Sequence, residues 1–361
     1  MKADLPEKTF LEGVMSENLG FGIVGCGVIA DFHANAIASL SDRARLIGVA
    51  DVNADASEKF ARRHGTFAFE SVEQMLESDE VDVVNICTPS GYHADSVVLA
   101  AESGKHIIVE KPVGITYEQL DRIKGACKKS GKKVAVISQN RFSRSIDMTK
   151  KAIEDGLLGT VVCGDIYMKY HRSQEYYDSG SWRGTRRIDG GGALMNQGIH
   201  GVDLLLYLMG EVKSVYAVSK TLARNIEVED TLSAVLEYEN GATGVIQATT
   251  SVYPGYPRRL DINGSKGSVV LDETSIIRWD FDEGARFEDV VLRPAFTSGA
   301  STPTAISPDG HIKQISDMID AIRENRSPLV TLEDGIKAVE LILAIYRSAE
   351  TGLPVDPRKR S

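Results

Sequence analysis

Residues 19–33 read LGFGIVGCGVIADFH, and the next apolar run closes on Asp51. LGFGIVG is a short apolar run that stops at a glycine, and VIADFH opens a helical pattern. Gly25-x-Gly27-x-x-Ala30 lies at the join. In a strand–turn–helix of this kind the first glycine permits a tight turn. The second lets backbone approach a pyrophosphate, and the small third residue lets the helix pack on the strand. The helix N-terminus then offers free N–H groups and positive potential to phosphates. A carboxylate roughly 20 residues further on can bond a ribose 2′-hydroxyl and would repel a 2′-phosphate. Asp51 therefore favours NAD over NADP. The expected cofactor contacts here are Gly25, Gly27, Val28, Ile29 and Asp51.

Outward from this turn, strand and helix alternate as far as about Asn140. RLIGVAD, VDVVNICTP, HIIVEKP and KVAVISQN are apolar runs rich in Val and Ile, separated by amphipathic helical segments such as ADASEKFARRHG and YEQLDRIKGACKKSGK. Such strands predict a parallel sheet covered on both faces. The expectation is an α/β, doubly wound Rossmann domain over residues 19–142, with ligands at the carboxyl ends of its strands. After a linking helix near Arg144 to Glu154 the pattern changes. TVVCGDIYMKYH, VKSVYAVSKT, EDTLSAVLEYENGATGVIQATTSVY, RRLDINGSKGSVVLDE and SIIRWDF alternate in strand fashion, with hairpin signals at ENGA and NGSKG. Residues 143–330 are expected to form an α+β domain with a large, mostly antiparallel open sheet, including a helix from about His311. Residues 331–361 form a C-terminal helix and tail. Residues 1–18 form an N-terminal extension without the apolar core of a signal peptide.

Composition narrows the class. The 361 residues carry a formal net charge of −10, which disfavours nucleic acid as a partner. No run of about 18 apolar residues is present, so no membrane-spanning helix is expected. Four scattered cysteines, Cys26, Cys87, Cys127 and Cys163, suggest neither a disulfide framework nor a zinc site. The expectations are a cytoplasmic protein and no metal.

Three further motifs carry chemistry. CTPSGYH ends a strand and starts a helix, so Thr88, Pro89 and His93 are expected to flank the cofactor; His93 could instead cap that helix or face solvent. HIIVEKP places Glu110, Lys111 and Pro112 at another carboxyl strand end, where Glu110 and Lys111 are expected cofactor contacts and the lysine can meet nicotinamide or substrate. Pro112 can hold an unusual peptide geometry, cis included. GGGALMNQGIHGVD, residues 190–203, sets Asn196, His200 and Asp203 at i, i+4 and i+7, on one face of a regular helix. Its glycines would allow close ligand approach, and Asn196 could orient the imidazole. Upstream, WRGTRR supplies Arg183, Arg186 and Arg187 for an anionic or polyhydroxyl group.

These motifs, together with EVEDT, YPGYP and SAETGLPV, resemble the glucose–fructose oxidoreductase / myo-inositol dehydrogenase (Gfo/Idh/MocA) family over nearly the whole chain after residue 18. The resemblance implies a nicotinamide-dependent oxidoreductase acting on a secondary hydroxyl of a sugar, glycoside, polyol or nucleotide sugar. The family's catalytic lysine and histidine carry over as Lys111 and His200. Many members have an aspartate where this chain has Asn196, so Asn196 is expected to bond the imidazole or a substrate hydroxyl. The ALMNQGIH form is similar to the branch of UDP-N-acetylglucosaminuronate 3-dehydrogenases, which points to the 3-hydroxyl. His200 is then the general base and Lys111 steadies the alkoxide. Arg141, Lys169, Arg172 and Arg183 are candidates for grasping the rest of the substrate, an arginine fork being suited to a uronate or nucleotide sugar. The same site would also serve an NAD-retaining glycosidase, lyase or epimerase, and the scaffold alone would serve an NAD-sensing regulator. An open sheet face seeks a partner, so a homodimer or homotetramer is expected, with Tyr216, Val235, Leu236 and Val245 divided between core and interface.

Overall fold

The structure, a computed structural model, describes residues 18–282 and 308–360. The expected N-terminal extension lies outside the described residues apart from Asn18.

Six short parallel strands form the first sheet: β1 (Leu19–Val24), β2 (Ala44–Ala50), β3 (Phe67–Ala68), β4 (Val83–Ile86), β5 (His106–Val109) and β6 (Val134–Val136). Helices α1 (Val28–Ser39), α2 (Ala54–His64), α3 (Val72–Glu77), α4 (His93–Glu102) and α5 (Tyr117–Ser130) alternate with them. The strand order is β3-β2-β1-β4-β5-β6. Order reverses between β1 and β4, which opens a crevice at their carboxyl ends. The strands read as unbroken apolar runs because both faces are covered; Phe21, Ile23, Val83, Val84, Ile107 and Ile108 are all fully buried.

The second sheet follows α6 (Arg144–Glu154). Its strands are β7 (Val161–Lys169), β8 (Val212–Lys220), β9 (Thr231–Tyr238), β10 (Thr243–Thr249), β11 (Arg259–Gly264), β12 (Gly267–Asp272) and β13 (Ser275–Phe281), in the order β13-β12-β11-β7-β10-β9-β8. All pairs are antiparallel except β7 with β10. Two helices interrupt it, α7 (Gln174–Asp178) and α8 (Ile199–Met209), the latter entered through a π-helical turn over Ala193–Gly198. Two more close the chain, α9 (Asp309–Arg323) and α10 (Leu332–Thr351). Leu204, Leu205 and Leu208 of α8, with Val339 and Ile342 of α10, bury the inner face of the sheet against Ile166, Leu236 and Ile246. The outer face keeps Val162, Tyr216, Val218 and Val235 exposed.

The domain boundary differs from the expectation in one element. Residues 309–323 were assigned to the second domain by chain order. In the structure α9 packs on α1, and Ile315, Met318 and Ile319 share one core with Phe21, Ile23 and Ile37 of the first. The inner face of the second sheet is already filled by α8 and α10, and the apolar stripe of α9 is buried on the first domain instead.

Candidate active site

The turn after β1 shows why its residues are small. Gly25 has φ +92°, and a Cβ there would lie 2.8 Å from the carbonyl oxygen of Cys87. A Cβ on Gly27 would meet nothing within 4 Å, so the space above it is open. Gly27 is also the N-cap of α1 and supplies no side-chain cap, which leaves the first N–H groups of the helix to a ligand. Asp51 accepts from Cys26 N at 2.7 Å and from Asn53 N at 2.8 Å, fixing the end of β2 against the turn. Among the described residues the Thr88 hydroxyl is buried without a protein partner. Gly25, Gly27, Val28, Ile29, Asp51, Thr88, Pro89 and His93 all line one cleft of about 1170 Å³. That volume exceeds an ordinary drug-sized site of roughly 300–1,000 Å³, as a dinucleotide plus a second ligand requires. His93 neither caps its helix through its side chain nor faces solvent. Its Nδ1 lies 2.6 Å from the Pro112 carbonyl oxygen and its Nε2 2.7 Å from that of Thr88, so the ring braces the two strand-end loops together. Burial lowers its pKa.

The peptide between Lys111 and Pro112 is cis. Lys111 donates from Nζ to the backbone carbonyl of Asn196 at 2.9 Å, so the first domain's strand end and the second domain's π-helical turn meet at this side chain. Burial lowers the Lys111 pKa, while the charges of Glu110 and Asp189 act against that fall. Glu110, an expected cofactor contact, does line the cleft, but its carboxylate is committed to protein. One oxygen accepts from His33 Nε2 at 3.0 Å and the other from the Lys111 backbone N–H at 3.2 Å. His311 Nε2 lies 3.7 Å from Glu110, and the ligand atoms of His33, Glu110 and His311 sit within 4.8 Å of one another. Among the described residues this buried trio is the group that could hold a metal ion; no sequence spacing announces it, since three distant segments contribute.

The glycine run has a different cause from the one expected. Gly190, Gly191 and Gly192 do not open space for a ligand. A Cβ on Gly192 would sit 1.8 Å from the Glu229 carbonyl oxygen, one on Gly191 2.2 Å from the Tyr346 hydroxyl, and one on Gly190 2.4 Å from Ile115. The run threads between packed side chains to deliver the π-helical turn. That turn also breaks the regular spacing from Asn196 to His200. The Asn196 amide donates to Asp189 at 2.5 Å, and its oxygen accepts from Gln197 Nε2 at 2.6 Å, so it does not orient the imidazole. Asp203 lies below the site, gripped by Arg141 from Nε at 2.9 Å and from Nη2 at 2.5 Å. Arg141 also bonds Asp334 at 3.2 Å and is 5% exposed. It is a buried structural cation and does not line the cleft, which corrects its assignment to substrate. His200 has no protein hydrogen-bond partner among the described residues, and its ring opens to the cleft beside Lys111. Burial, then the charge of Lys111, hold its pKa well below the usual histidine range.

Arg172 and Arg183 do reach the cleft. Arg172 donates from Nε at 3.1 Å and from Nη2 at 2.8 Å to Gln197 Oε1. Arg183 donates to the Tyr176 hydroxyl at 2.7 Å and lies 4.4 Å over the rings of both Tyr176 and Trp182. Arg186 and Arg187 are not part of the lining, and Lys169 lies 5.8 Å over the Tyr167 ring instead. Gln197, Tyr176, Trp182, Arg258, Glu273 and His311 also line the cleft and were not singled out from sequence. Gln197 sits inside NQGIH, so its position carried a signal; the others join the site from separate segments, Tyr176 from α7 and His311 from α9.

Comparison with known proteins agrees with this geometry. Residues 19–138 match a family model described as an oxidoreductase family with an NAD-binding Rossmann fold, and residues 146–270 match the GFO/IDH/MocA C-terminal domain. The crystal structure of the WlbA dehydrogenase from Bordetella pertussis, in complex with NADH and UDP-GlcNAcA, superposes with a TM-score of 0.85 at 35% identity, covering 94% of this chain and 99% of that one. Myo-inositol 2-dehydrogenase of Thermotoga maritima is 27% identical over 91% of this chain and 96% of its own. D-glucoside 3-dehydrogenase of Escherichia coli is 26% identical over 94% of this chain and 98% of its own.

Proposed function

The chain belongs to the Gfo/Idh/MocA family of NAD-dependent sugar and polyol oxidoreductases, and from that premise we propose that it oxidises the 3-hydroxyl of a sugar or nucleotide sugar, with His200 as base and Lys111 assisting. The observation that carries this reading is the meeting of Lys111 and His200, from different domains, on the wall of the cleft that begins at the Gly25–Gly27 turn. The fit of the dinucleotide rests on the open space at Gly27, the uncapped α1 terminus, Asp51 and the unpartnered Thr88 hydroxyl. When bound, NAD supplies the hydride acceptor. His200 takes the hydroxyl proton; its depressed pKa keeps it neutral, and no protein group competes for its lone pair. Lys111 spends one N–H on the Asn196 carbonyl and keeps two donors for the developing alkoxide. Arg172 and Arg183, steadied by Gln197 and Tyr176, present guanidinium groups to an anionic part of the substrate, as a uronate or nucleotide sugar would have. Asn196 belongs to the substrate side of the cleft and acts through the amide network it shares with Asp189 and Gln197.

The choice of the 3-hydroxyl is supported by the likeness to the D-glucoside 3-dehydrogenase. We propose further that a second copy of the chain covers the open face of the second sheet, where Tyr216, Val218 and Val235 are exposed, in a homodimer or homotetramer. All four cysteines are free, in keeping with a reducing cytoplasm.

The test is absorbance at 340 nm with purified protein, NAD and a panel of UDP-GlcNAcA, D-glucosides and myo-inositol. NADH is expected to accumulate with one of these classes. The His200→Ala variant should lose about 10²- to 10⁴-fold in turnover while still binding NADH. Turnover unchanged in that variant overturns the assignment.

A further inference from the structure

Arg258 precedes β11, and Glu273 lies in the turn between β12 and β13. They meet inside the cleft, beside the catalytic pair. The Arg258 side chain is 3% exposed and the Glu273 side chain 20%. Arg258 Nη2 lies 3.3 Å from a Glu273 carboxylate oxygen. The Arg258 N–H donates to the same carboxylate at 2.9 Å, and the Glu273 N–H donates to the Arg258 carbonyl at 2.7 Å. Glu273 takes φ +51°, a left-handed conformation that a non-glycine residue holds only when its surroundings impose it. Here the reciprocal bonds impose it, with the Ser145 hydroxyl donating to the Thr274 carbonyl next along.

The stem of Arg258 lies on α8. A Cβ at Gly201, the residue after His200, would come 3.3 Å from Arg258 Cδ. That Cβ would come closer still to Met168 Sδ at 2.5 Å and Ile166 Cδ1 at 2.6 Å, so the glycine serves the packing of β7 first, and the arginine stem lies alongside, beside the proposed base. Both Arg258 and Glu273 line the cleft together with Tyr170 and His200. Among the described residues Arg258 Nε is buried without a hydrogen-bond partner. A buried donor left unmade is costly, so a ligand that supplies an acceptor there is favoured.

We infer that Arg258 and Glu273 form a sugar-reading subsite, Arg258 donating to one ring hydroxyl and Glu273 accepting from its neighbour, next to the carbon that is oxidised. The inference rests on the proposed sugar oxidation and names the groups that choose the sugar. Glu273 offsets the guanidinium charge, so a substrate carboxylate would meet an opposing carboxylate here. Adjacent hydroxyls both donate and accept, and they match the pair. The anionic part of the substrate belongs at Arg172 and Arg183.

The experiment measures turnover, and binding to the protein–NADH complex, for UDP-GlcNAcA and for methyl D-glucoside with its 2-deoxy and 4-deoxy analogues. Wild type should discriminate against at least one deoxy analogue by about 10- to 100-fold, as expected for a lost bond to a charged group. Arg258→Lys and Glu273→Gln should raise KM for the parent sugar by about the same factor, with a much smaller fall in kcat, and should narrow that discrimination. NADH binding by the variants shows that they are folded. A wild type that accepts both deoxy analogues as well as the parent overturns the subsite without any variant. So does an unchanged KM in folded variants, while the sugar oxidation itself then stands. A wild type inactive on every sugar removes the proposed function, and the subsite falls with it.

Discussion

Lys111 meets groups from both domains, and its charge also acts on His200. It donates to the Asn196 carbonyl, feels Glu110 and Asp189 as counter-charges, and lowers the His200 pKa. Replacing a positive neighbour with a neutral one relieves that depression. In Lys111→Met the His200 pKa should therefore rise toward the ordinary value of about 6.5, and the imidazole should stay protonated to higher pH than in wild type. Titration of the His200 ring signals by NMR checks this, and a pKa that falls or stays put would show that burial alone controls it. The residues legible in sequence are those on local motifs: Gly25, Gly27 and Asp51 around one turn, and Lys111 as the strand-end lysine, whose bond to Asn196, 85 positions away, carried no signal. Arg141 was misread because its role is not local. Its two carboxylate partners lie 62 and 193 positions away, and nothing near QNRF distinguishes a buried ion pair from a substrate clamp. His93 lines the cleft as expected, but its bracing role was not readable, because the Pro112 carbonyl it meets lies 19 positions away.

The π-helical turn over Ala193–Gly198 is the element that brings Asn196 to Lys111, and it is held at its start by one buried carboxylate. Glu229 accepts from the Gly192 N–H at 2.8 Å, from the Leu194 N–H at 2.9 Å and from the Tyr346 hydroxyl at 2.8 Å. Burial raises its pKa while these donors oppose the rise. In Glu229→Gln one acceptor remains and the new amide turns N–H groups toward a donor. The expected cost is about 1–3 kcal/mol, read as a thermal midpoint roughly 2–4 °C lower per kcal/mol. Turnover should fall with it, because the Asn196 carbonyl moves relative to Lys111. A variant as stable as wild type with unaltered kcat would show that the turn does not depend on this anchor. Periodicity made the helix after the glycine run visible, since Val202, Leu204, Leu205 and Leu208 give it an apolar side. The extra residue of the π turn has no such signature. It shifts Asn196 off the line to His200, so the expected orientation of the imidazole by Asn196 did not materialise.

Across the whole molecule, chain order predicted two domains and the structure keeps them, but α9 crosses back to complete the first core with Ile315, Met318 and Ile319. The apolar periodicity of that helix was readable, while the face it would cover was not, because the choice depends on which sheet faces α8 and α10 have already filled. Among the described residues nothing covers the outer face of the second sheet, where Tyr216, Val218 and Val235 are exposed. Strand β9 alternates: Leu232, Ala234 and Leu236 point into the core, and Val235 is 57% exposed. Val235 pairs across strands with Tyr216 and Val245, and Tyr216 and Val218 are nearly half exposed, so the exposed apolar groups adjoin one another across the sheet. Exposed apolar patches of this kind are covered by a partner when they are extensive, and a self-complementary sheet face suits a two-fold axis. Where wild type forms the proposed homodimer or homotetramer, Val235→Glu should break it at this face, as read by light scattering. It should leave NADH binding intact, because the side chain touches neither core nor cleft. A wild type that is monomeric at micromolar concentration, or a variant that keeps its assembly, would place the partner surface elsewhere.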